Sequence, residues 1–439
     1  MSAQSWAGRK LHFIAIGGAG MSGLALVAHR LGATVTGSDR ADSSYMDRLR
    51  AAGLEPAVGH DADAVPADAD VVVSTAIGAD NPELTRARER GQNEIHRGAL
   101  LAELCSEGRL IAVAGTHGKT TTTGMIVHAL RAIGADPTFF IGGELPGAGE
   151  EGGPANAGLG TGDLIVAEAD ESDGSFLELR PEVAIVTNVE LDHHARWSSR
   201  AQLFEAFAEF ASPASGVVRG DDPALESIVP AGVRTEIFTE TRPGPSPLEL
   251  SVPGRHNALN ARAALAAIGL AGGDVEAAAA ALATFPGMLR RQELKGERSG
   301  ALVYDDYAHH PTEVRATLAA LRELRPRRLI AVFQPHLYSR TKALASEFGA
   351  ALAAADEVGV LDVYAAREEP VGPLEGVSGL DVARATADHG RGKRVMWLED
   401  RETAARVLAP RLAEGDLLVT IGAGDVYRLA EDLVGEGTA

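Results

Sequence analysis

Apolar runs of strand length, each closing on a glycine or polar turn and followed by helix-compatible sequence, recur from residue 11 to residue 421. That alternation is the pattern of parallel sheets built from crossover units, in which every strand opens into a loop at one shared carboxyl edge. The first unit reads as a strand at 11–17, a helix at 21–31, a strand at 33–38, a polar helix near 45–52 and a strand at 71–74. A second begins with a strand at 110–114 and a helix at 119–133. It continues through strands at 163–169 and 183–188 and helices at 201–210, 260–271 and 275–283. A third restarts with strands at 301–305, 328–333, 357–363, 394–398 and 416–421. Residues 142–162 hold nine glycines and two prolines with little periodicity, which reads as a flexible surface loop. At ~150 residues per domain, 439 residues suit three α/β domains in a row, with a ligand cleft where they meet. We place them at 1–108, 109–297 and 298–439.

Charge and cysteine usage exclude several classes. A formal net charge of −20 argues against a nucleic-acid partner, whose phosphates need a basic surface. It leaves a nucleotide substrate open, because a bound cation and a few local donors dominate the field inside a cleft. The single cysteine, Cys105, rules out an intrachain disulfide. No apolar run approaches the ~18–20 residues that span a bilayer, and residues 1–10 lack an apolar stretch of signal-peptide length. A reducing cytoplasm is the expected location.

Five segments carry chemistry. Ala114-Gly115-Thr116-His117-Gly118-Lys119-Thr120-Thr121 lies between a strand and a helix. There glycines let successive N–H groups point at phosphate oxygens, Lys119 can bridge the β- and γ-phosphates, and the Thr120 hydroxyl can ligate magnesium. Val113 stands where the full phosphate-loop pattern has its first glycine. Glu168-Ala169-Asp170-Glu171-Ser172-Asp173 puts four carboxylates in six residues at a strand end, where they repel unless a cation screens them. They suit a magnesium site, with Glu168 as the foremost ligand. Thr187 to His194 follows another strand. A histidine is an unusual ligand for so hard a cation, so on chemistry alone His193 and His194 suit an orienting role.

Near the N-terminus, Gly18-Ala19-Gly20-Met21-Ser22-Gly23 opens a helix after a strand, and Asp39 follows Gly18 by 21 residues. Spacing and context match the dinucleotide fingerprint, which makes a nicotinamide-dependent dehydrogenase the rival reading. The same turn fits the pyrophosphate of a UDP-sugar. Finally, the segments 304–311 and 333–340 each sit where a strand gives way to a helix, so Asp305, Asp306, His309, His310 and Arg340 line one rim. Such a rim suits a charged small molecule. The dehydrogenase reading accounts for the first 40 residues but leaves the segments at 115–120 and 168–173 without a role.

Taken together, GGAGMSGLA (17–25), AGTHGKTTTTG (114–124), AEADESDGSF (167–176), GRHNALNA (254–261), DDYAHHPTEV (305–314) and FQPHLYSRT (333–341) resemble the Mur ligase family, in the family's order and over nearly the whole chain. The resemblance implies a Rossmann-like N-terminal domain, a central phosphate-loop ATPase domain and a Rossmann-like C-terminal domain. Within the family it points to the branch that adds L-alanine to UDP-N-acetylmuramate through an acyl phosphate, for peptidoglycan precursors. The sibling branch that recycles a murein tripeptide typically has tyrosine where Ser172 stands here.

By this resemblance ATP and Mg2+ are required. Gly115, Thr116, His117, Gly118, Lys119, Thr120, Thr121, Asn257 and Asn260 would hold ATP, and Thr120, Glu168 and His193 the metal. Gly18, Ala19, Gly20, Met21, Ser22, Asp39, Ser74 and Thr75 would hold the UDP-sugar, and Tyr307, His309 and Arg340 the amino acid. Lys119, Glu168, His193, His309 and Arg340 would be catalytic. Leu337 replaces a usual basic residue, and 191–197 departs from the family pattern. The sibling ligases' carbamylated lysine is excluded, because no lysine lies between Lys119 and Lys295. The partners expected are UDP-N-acetylmuramate, L-alanine and ATP; neither nucleic acid nor membrane insertion is expected, and a homodimer is left open.

Overall fold

The computed structural model describes residues 6–190, 196–197, 199–240, 248–366 and 368–435. Among these, three sheets form. The first comprises Lys10–Ile14 (β1), Thr34–Asp39 (β2), Ala57–Val58 (β3), Asp70–Val73 (β4) and Glu94–His96 (β5), ordered β3-β2-β1-β4-β5 and parallel throughout. Strand order reverses at β1, so the glycine turn that follows it opens at the sheet's switch point, where such sheets bind ligands.

The second sheet comprises Arg109–Ala114 (β6), Thr138–Leu145 (β7), Ala155–Gly158 (β8), Leu164–Glu168 (β9), Val183–Val186 (β10), Gly216–Gly220 (β11) and Arg234–Phe238 (β12). Its order is β12-β11-β10-β6-β9-β7-β8, parallel except for β8. β6 lies between β9 and β10, so three of the chemistry-bearing segments emerge side by side at one edge. The runs Leu110–Ala114, Leu164–Ala167 and Val183–Val186 are continuously apolar, as befits parallel strands buried on both faces.

The stretch 142–162, expected to be a loop, enters this sheet at 142–145 and 155–158 and is loop and turn elsewhere. β7 continues to Leu145, and β8 is an antiparallel edge strand whose four residues are all buried. Small side chains explain both the missing periodicity and the burial. β8 packs on the helix Ala19–Arg30 of the first sheet, and a Cβ at Gly23 would come within 2.8 Å of the Ala157 Cβ. That close approach joins the first two sheets into one compact unit, Met1–Ser251 with Ala258–Pro286.

The other unit, Val252–Asn257 with Gly287–Ala439, carries the third sheet. Glu293–Arg298 (β13) runs antiparallel to Ala301–Asp306 (β14), so the chain enters this sheet ahead of residue 297. Parallel neighbours follow in the order β14, Asp416–Ile421 (β18), Arg328–Phe333 (β15), Glu357–Val360 (β16) and Arg394–Trp397 (β17). Among the described residues no helix is long and apolar enough to cross a membrane.

Candidate active site

The loop Gly115–Gly118 leads from β6 into the helix Lys119–Ala132, with Gly118 as its N-cap at φ 85°. Lys119 folds back over the loop. Its Nζ donates to the carbonyls of Gly115 (2.7 Å) and Thr116 (3.3 Å) and to Glu171 Oε2 (2.9 Å). Burial alone would lower the ammonium's pKa; Glu171, Asp170 and Glu168 outweigh it and hold the group above the ordinary lysine range.

Next along the helix, the Thr120 hydroxyl donates to Glu168 Oε1 at 3.0 Å, while Glu168 Oε2 accepts from the Gly142 N–H at 2.7 Å. Burial, the largest influence, raises the Glu168 carboxyl against the pull of Lys119. A hydroxyl and a carboxylate meeting in a partly dry corner are hard oxygen donors. That donor set fits magnesium.

The remaining carboxylates are individually satisfied. Asp170 accepts from the Ser172 amide and hydroxyl, and Asp173 accepts from Ser175 and from Arg97 Nη2 at 2.7 Å. Lys119 and Arg97 thus supply the screening that four crowded carboxylates require. The indole of Trp197 donates to the Glu171 carbonyl at 3.0 Å and fixes that turn from behind.

The end of β10 has a role the sequence did not suggest. Thr187 Oγ1 and Asn188 Nδ2 both donate to the His117 carbonyl, at 2.6 and 3.0 Å, and Asn188 Oδ1 accepts from the His117 amide at 2.9 Å. Glu190 and Thr116 exchange two further hydrogen bonds. The phosphate loop is therefore clamped along its length. The adjacency of β10 to β6 was the missing information. Asn260 also reaches the loop, its Oδ1 lying 2.6 Å from where a Cβ at Gly118 would stand. Asn257 belongs to the other unit, where its amide donates to the Pro253 carbonyl at 2.7 Å and to Gln292 Oε1 at 3.4 Å. His193, assigned to the metal from sequence, and its neighbour His194 lie outside the described residues.

At the glycine turn, Asp39 Oδ2 accepts from the Gly17 N–H at 3.0 Å and pins the turn to the end of β2. Gly18 caps the helix Ala19–Arg30 without a side-chain hydrogen bond, which leaves its first N–H groups for a ligand. Met21 and Ser22 are buried, and Ser22 Oγ is engaged by the Ala19 carbonyl (3.2 Å) and by Asn156 Nδ2 (3.1 Å). Ser74 and Thr75 follow β4 at the same edge. A cavity of about 200 Å³ is lined by Ala19 and Gly20 on one side and Glu168 and Asp170 on the other. The glycine turn and Glu168 share it.

In the second unit, Asp306 ends β14 and accepts from the amides of Gln292 (2.9 Å) and Ala308 (2.8 Å). The Tyr307 and His309 rings meet edge-on at 5.4 Å, and the Arg290 and Arg291 guanidinia lie over the Tyr307 ring at 4.9 and 5.3 Å. The two rings meet across a loop, since the strand has already ended. His309 N donates to Glu313 Oε2 at 3.0 Å, and Arg340, in the first turn of the helix Tyr338–Leu352, contributes to the field at His309. The expected amino-acid residues are thus brought together.

Burial pushes His309 down to about 4, helped by Arg340 and opposed by Glu313, and burial with Arg291 does the same for His256. Burial pushes Asp306 up to about 6. A histidine whose native pKa lies below its unfolded value of ~6.5 contributes stability that is complete above pH ~6.5 and lost as the pH falls toward 4. Asp306 opposes this between pH 6 and 4, since its native carboxyl keeps a proton the unfolded one releases. Two histidines against one aspartate leave a net loss of about 2 kcal/mol between pH 7 and pH 5. Thermal unfolding should show the midpoint falling over that interval, and His256→Gln should reduce the slope. A flat profile would mean that these imidazoles titrate in the native protein much as they do in the unfolded chain.

Comparison with known proteins places this arrangement. Three family models match in succession: "Mur ligase family, catalytic domain" over residues 10–109, "Mur ligase middle domain" over 113–237 and "Mur ligase, glutamate ligase domain" over 290–424. The UDP-N-acetylmuramate–L-alanine ligase of Mycolicibacterium vanbaalenii is 44% identical over 98% of this chain and 96% of its own length. That of Rubrobacter xylanophilus is 45% identical over 97% and 99%. Among solved structures, the UDP-N-acetylmuramate–alanine ligase of Thermotoga maritima superposes with a TM-score of 0.83 at 29% identity, covering 97% of this chain and 98% of that one. A murein peptide ligase of Psychrobacter arcticus gives 0.72 at 26%, covering 98% of each.

Proposed function

The chain belongs to the Mur ligase family of ATP-dependent ligases, and on that footing we propose that it joins L-alanine to the lactyl carboxylate of UDP-N-acetylmuramate in peptidoglycan precursor synthesis. One observation carries the reading: Glu168, which accepts from Thr120 just after the clamped loop, lines a single cavity together with the glycine turn of the first sheet. A nucleotide's γ-phosphate and the acid of a UDP-linked sugar can therefore be brought together. Ser172, which donates to Asp170, stands where the tripeptide-recycling branch typically has tyrosine, and it favours the alanine-adding branch.

We assign the acceptor to the domain of the first sheet, at Gly18 to Ser22, Asp39, Ser74 and Thr75. ATP goes to the second, at Gly115 to Thr121 with Asn260, and L-alanine to the third, at Tyr307, His309 and Arg340. A lactyl carboxylate oxygen attacks the γ-phosphorus, the bond to the β-phosphate oxygen breaks, and ADP leaves. Lys119 stabilises the negative charge that redistributes over the transferring group. Thr120 and Glu168 would hold a magnesium ion, which when bound neutralises charge between the phosphates. The uncharged amine of L-alanine then attacks the acyl carbonyl, and the tetrahedral adduct expels phosphate, a better leaving group than hydroxide. Arg340 can grip the amino-acid carboxylate through a two-pronged pair.

The test is phosphate release by the full chain. Release should require ATP, UDP-N-acetylmuramate and L-alanine together, and NADH absorbance should stay constant. Release with a murein tripeptide but none with L-alanine would move the chain to the recycling branch. No release with any of these would remove the ligase reading.

A further inference from the structure

We propose that Arg97 binds the pyrophosphate of the UDP-sugar and that Asp173 holds it in position to do so; the ligand named here rests on the reading above. Arg97 is the first residue of the helix Arg97–Cys105, directly after β5 at the carboxyl edge of the first sheet. Its side chain is 24% exposed and crosses from that sheet to the acidic turn of the second. Nη2 donates to Asp173 Oδ2 at 2.7 Å and lies 3.6 Å from Asp170 Oδ2. Nη1 lies over the first turn of the helix Ala19–Arg30, where a Cβ at Gly20 would stand 3.4 Å from it.

Charge decides what this placement does. The cavity that Arg97 lines is bounded by Ala19 and Gly20 on one side and by Glu168 and Asp170 on the other. A diphosphate on the helix N-terminus gains from the N–H groups of that turn, but it would face two carboxylates at short range. Arg97 is the cation in the lining, and it stands beside the turn. A guanidinium is planar and permanently charged, so one nitrogen can be fixed by Asp173 while its neighbour meets a phosphate oxygen. The ion pair with Asp173 costs the free protein little additional order when the ligand arrives, because the long side chain is already positioned.

The alternative role is purely structural: Arg97 ties the two sheets together and touches no ligand. Calorimetry on the full chain separates the two, using UDP, UDP-N-acetylmuramate and β,γ-methylene-ATP as probes. In Arg97→Ala, loss of a charge-assisted contact should weaken UDP and UDP-N-acetylmuramate alike by roughly 10- to 100-fold, with the ATP analogue changed less than about threefold. Arg97→Lys keeps the charge without the fork and should fall between; it carries the test if Arg97→Ala does not fold. Unchanged affinity for both uridine ligands would overturn the proposal and leave the structural role. A loss confined to UDP-N-acetylmuramate would also overturn it, because Arg97 would then be reading the lactyl carboxylate. Wild-type protein that binds neither uridine ligand would overturn the acceptor assignment itself, a result distinguishable from either of these.

Discussion

Lys119→Ala is expected to lower turnover by about 10²–10³-fold, the usual consequence of deleting one preorganised donor at a charge-redistributing transition state. The geometry explains the size of the effect. Lys119 Nζ is held by two loop carbonyls and by Glu171, so the ammonium is fixed before a nucleotide arrives. Deleting it also takes from Glu171, Asp170 and Glu168 the cation that balances them, and an incoming triphosphate then meets their field directly. Affinity for ATP should therefore fall together with turnover. Steady-state phosphate release and calorimetry with β,γ-methylene-ATP read the two effects separately. Turnover within a few-fold of wild type would remove the phosphate-loop assignment.

Gly115→Ala should be as severe, for a steric reason. Gly115 has φ 124°, and a Cβ there would stand 2.1 Å from Thr187 Oγ1 and 2.9 Å from the Thr187 amide nitrogen. Both neighbours belong to the clamp that fixes the loop, so the loop must move and forfeit its hydrogen bonds to Thr187 and Asn188. A misplacement of about 1 Å at a reacting centre costs on the order of 10² in rate, and the strained backbone adds a loss of stability. The rate and the thermal midpoint should fall together. A variant with wild-type kinetics would show that the loop and the end of β10 are not in contact during catalysis.

Much of this was legible in the sequence because strand ends are where parallel sheets place their chemistry. The carboxyl-edge positions of Gly115–Thr120, Glu168–Asp173 and Asp306–His309 follow from periodicity and turn residues alone. Strand order does not follow from them. That β6 lies between β9 and β10 decides that Thr187 and Asn188 hold the loop, and nothing local to those residues announces it. Glu171 was readable as one of four acids, but its pairing with Lys119 depends on a turn fixed by Trp197, 26 residues away. The misreading of 142–162 has a physical cause. Glycine and alanine signal freedom in an isolated chain, yet here Ala157 against Gly23 lets β8 lie close to the helix of the neighbouring sheet.

The Lys119–Glu171 pair gives the nucleotide's arrival a different character from capture by an unbalanced positive site. On the proposed assignment of the γ-phosphate to Lys119, that phosphate competes with Glu171 for the ammonium, so binding would exchange one anion for another and much of the gross attraction would cancel. Once the phosphoryl group has moved on to the acceptor, the Glu171 carboxylate would compete with whatever stays in the loop. On the same assignment, the side chain that moderates entry of the nucleotide would also favour the departure of ADP.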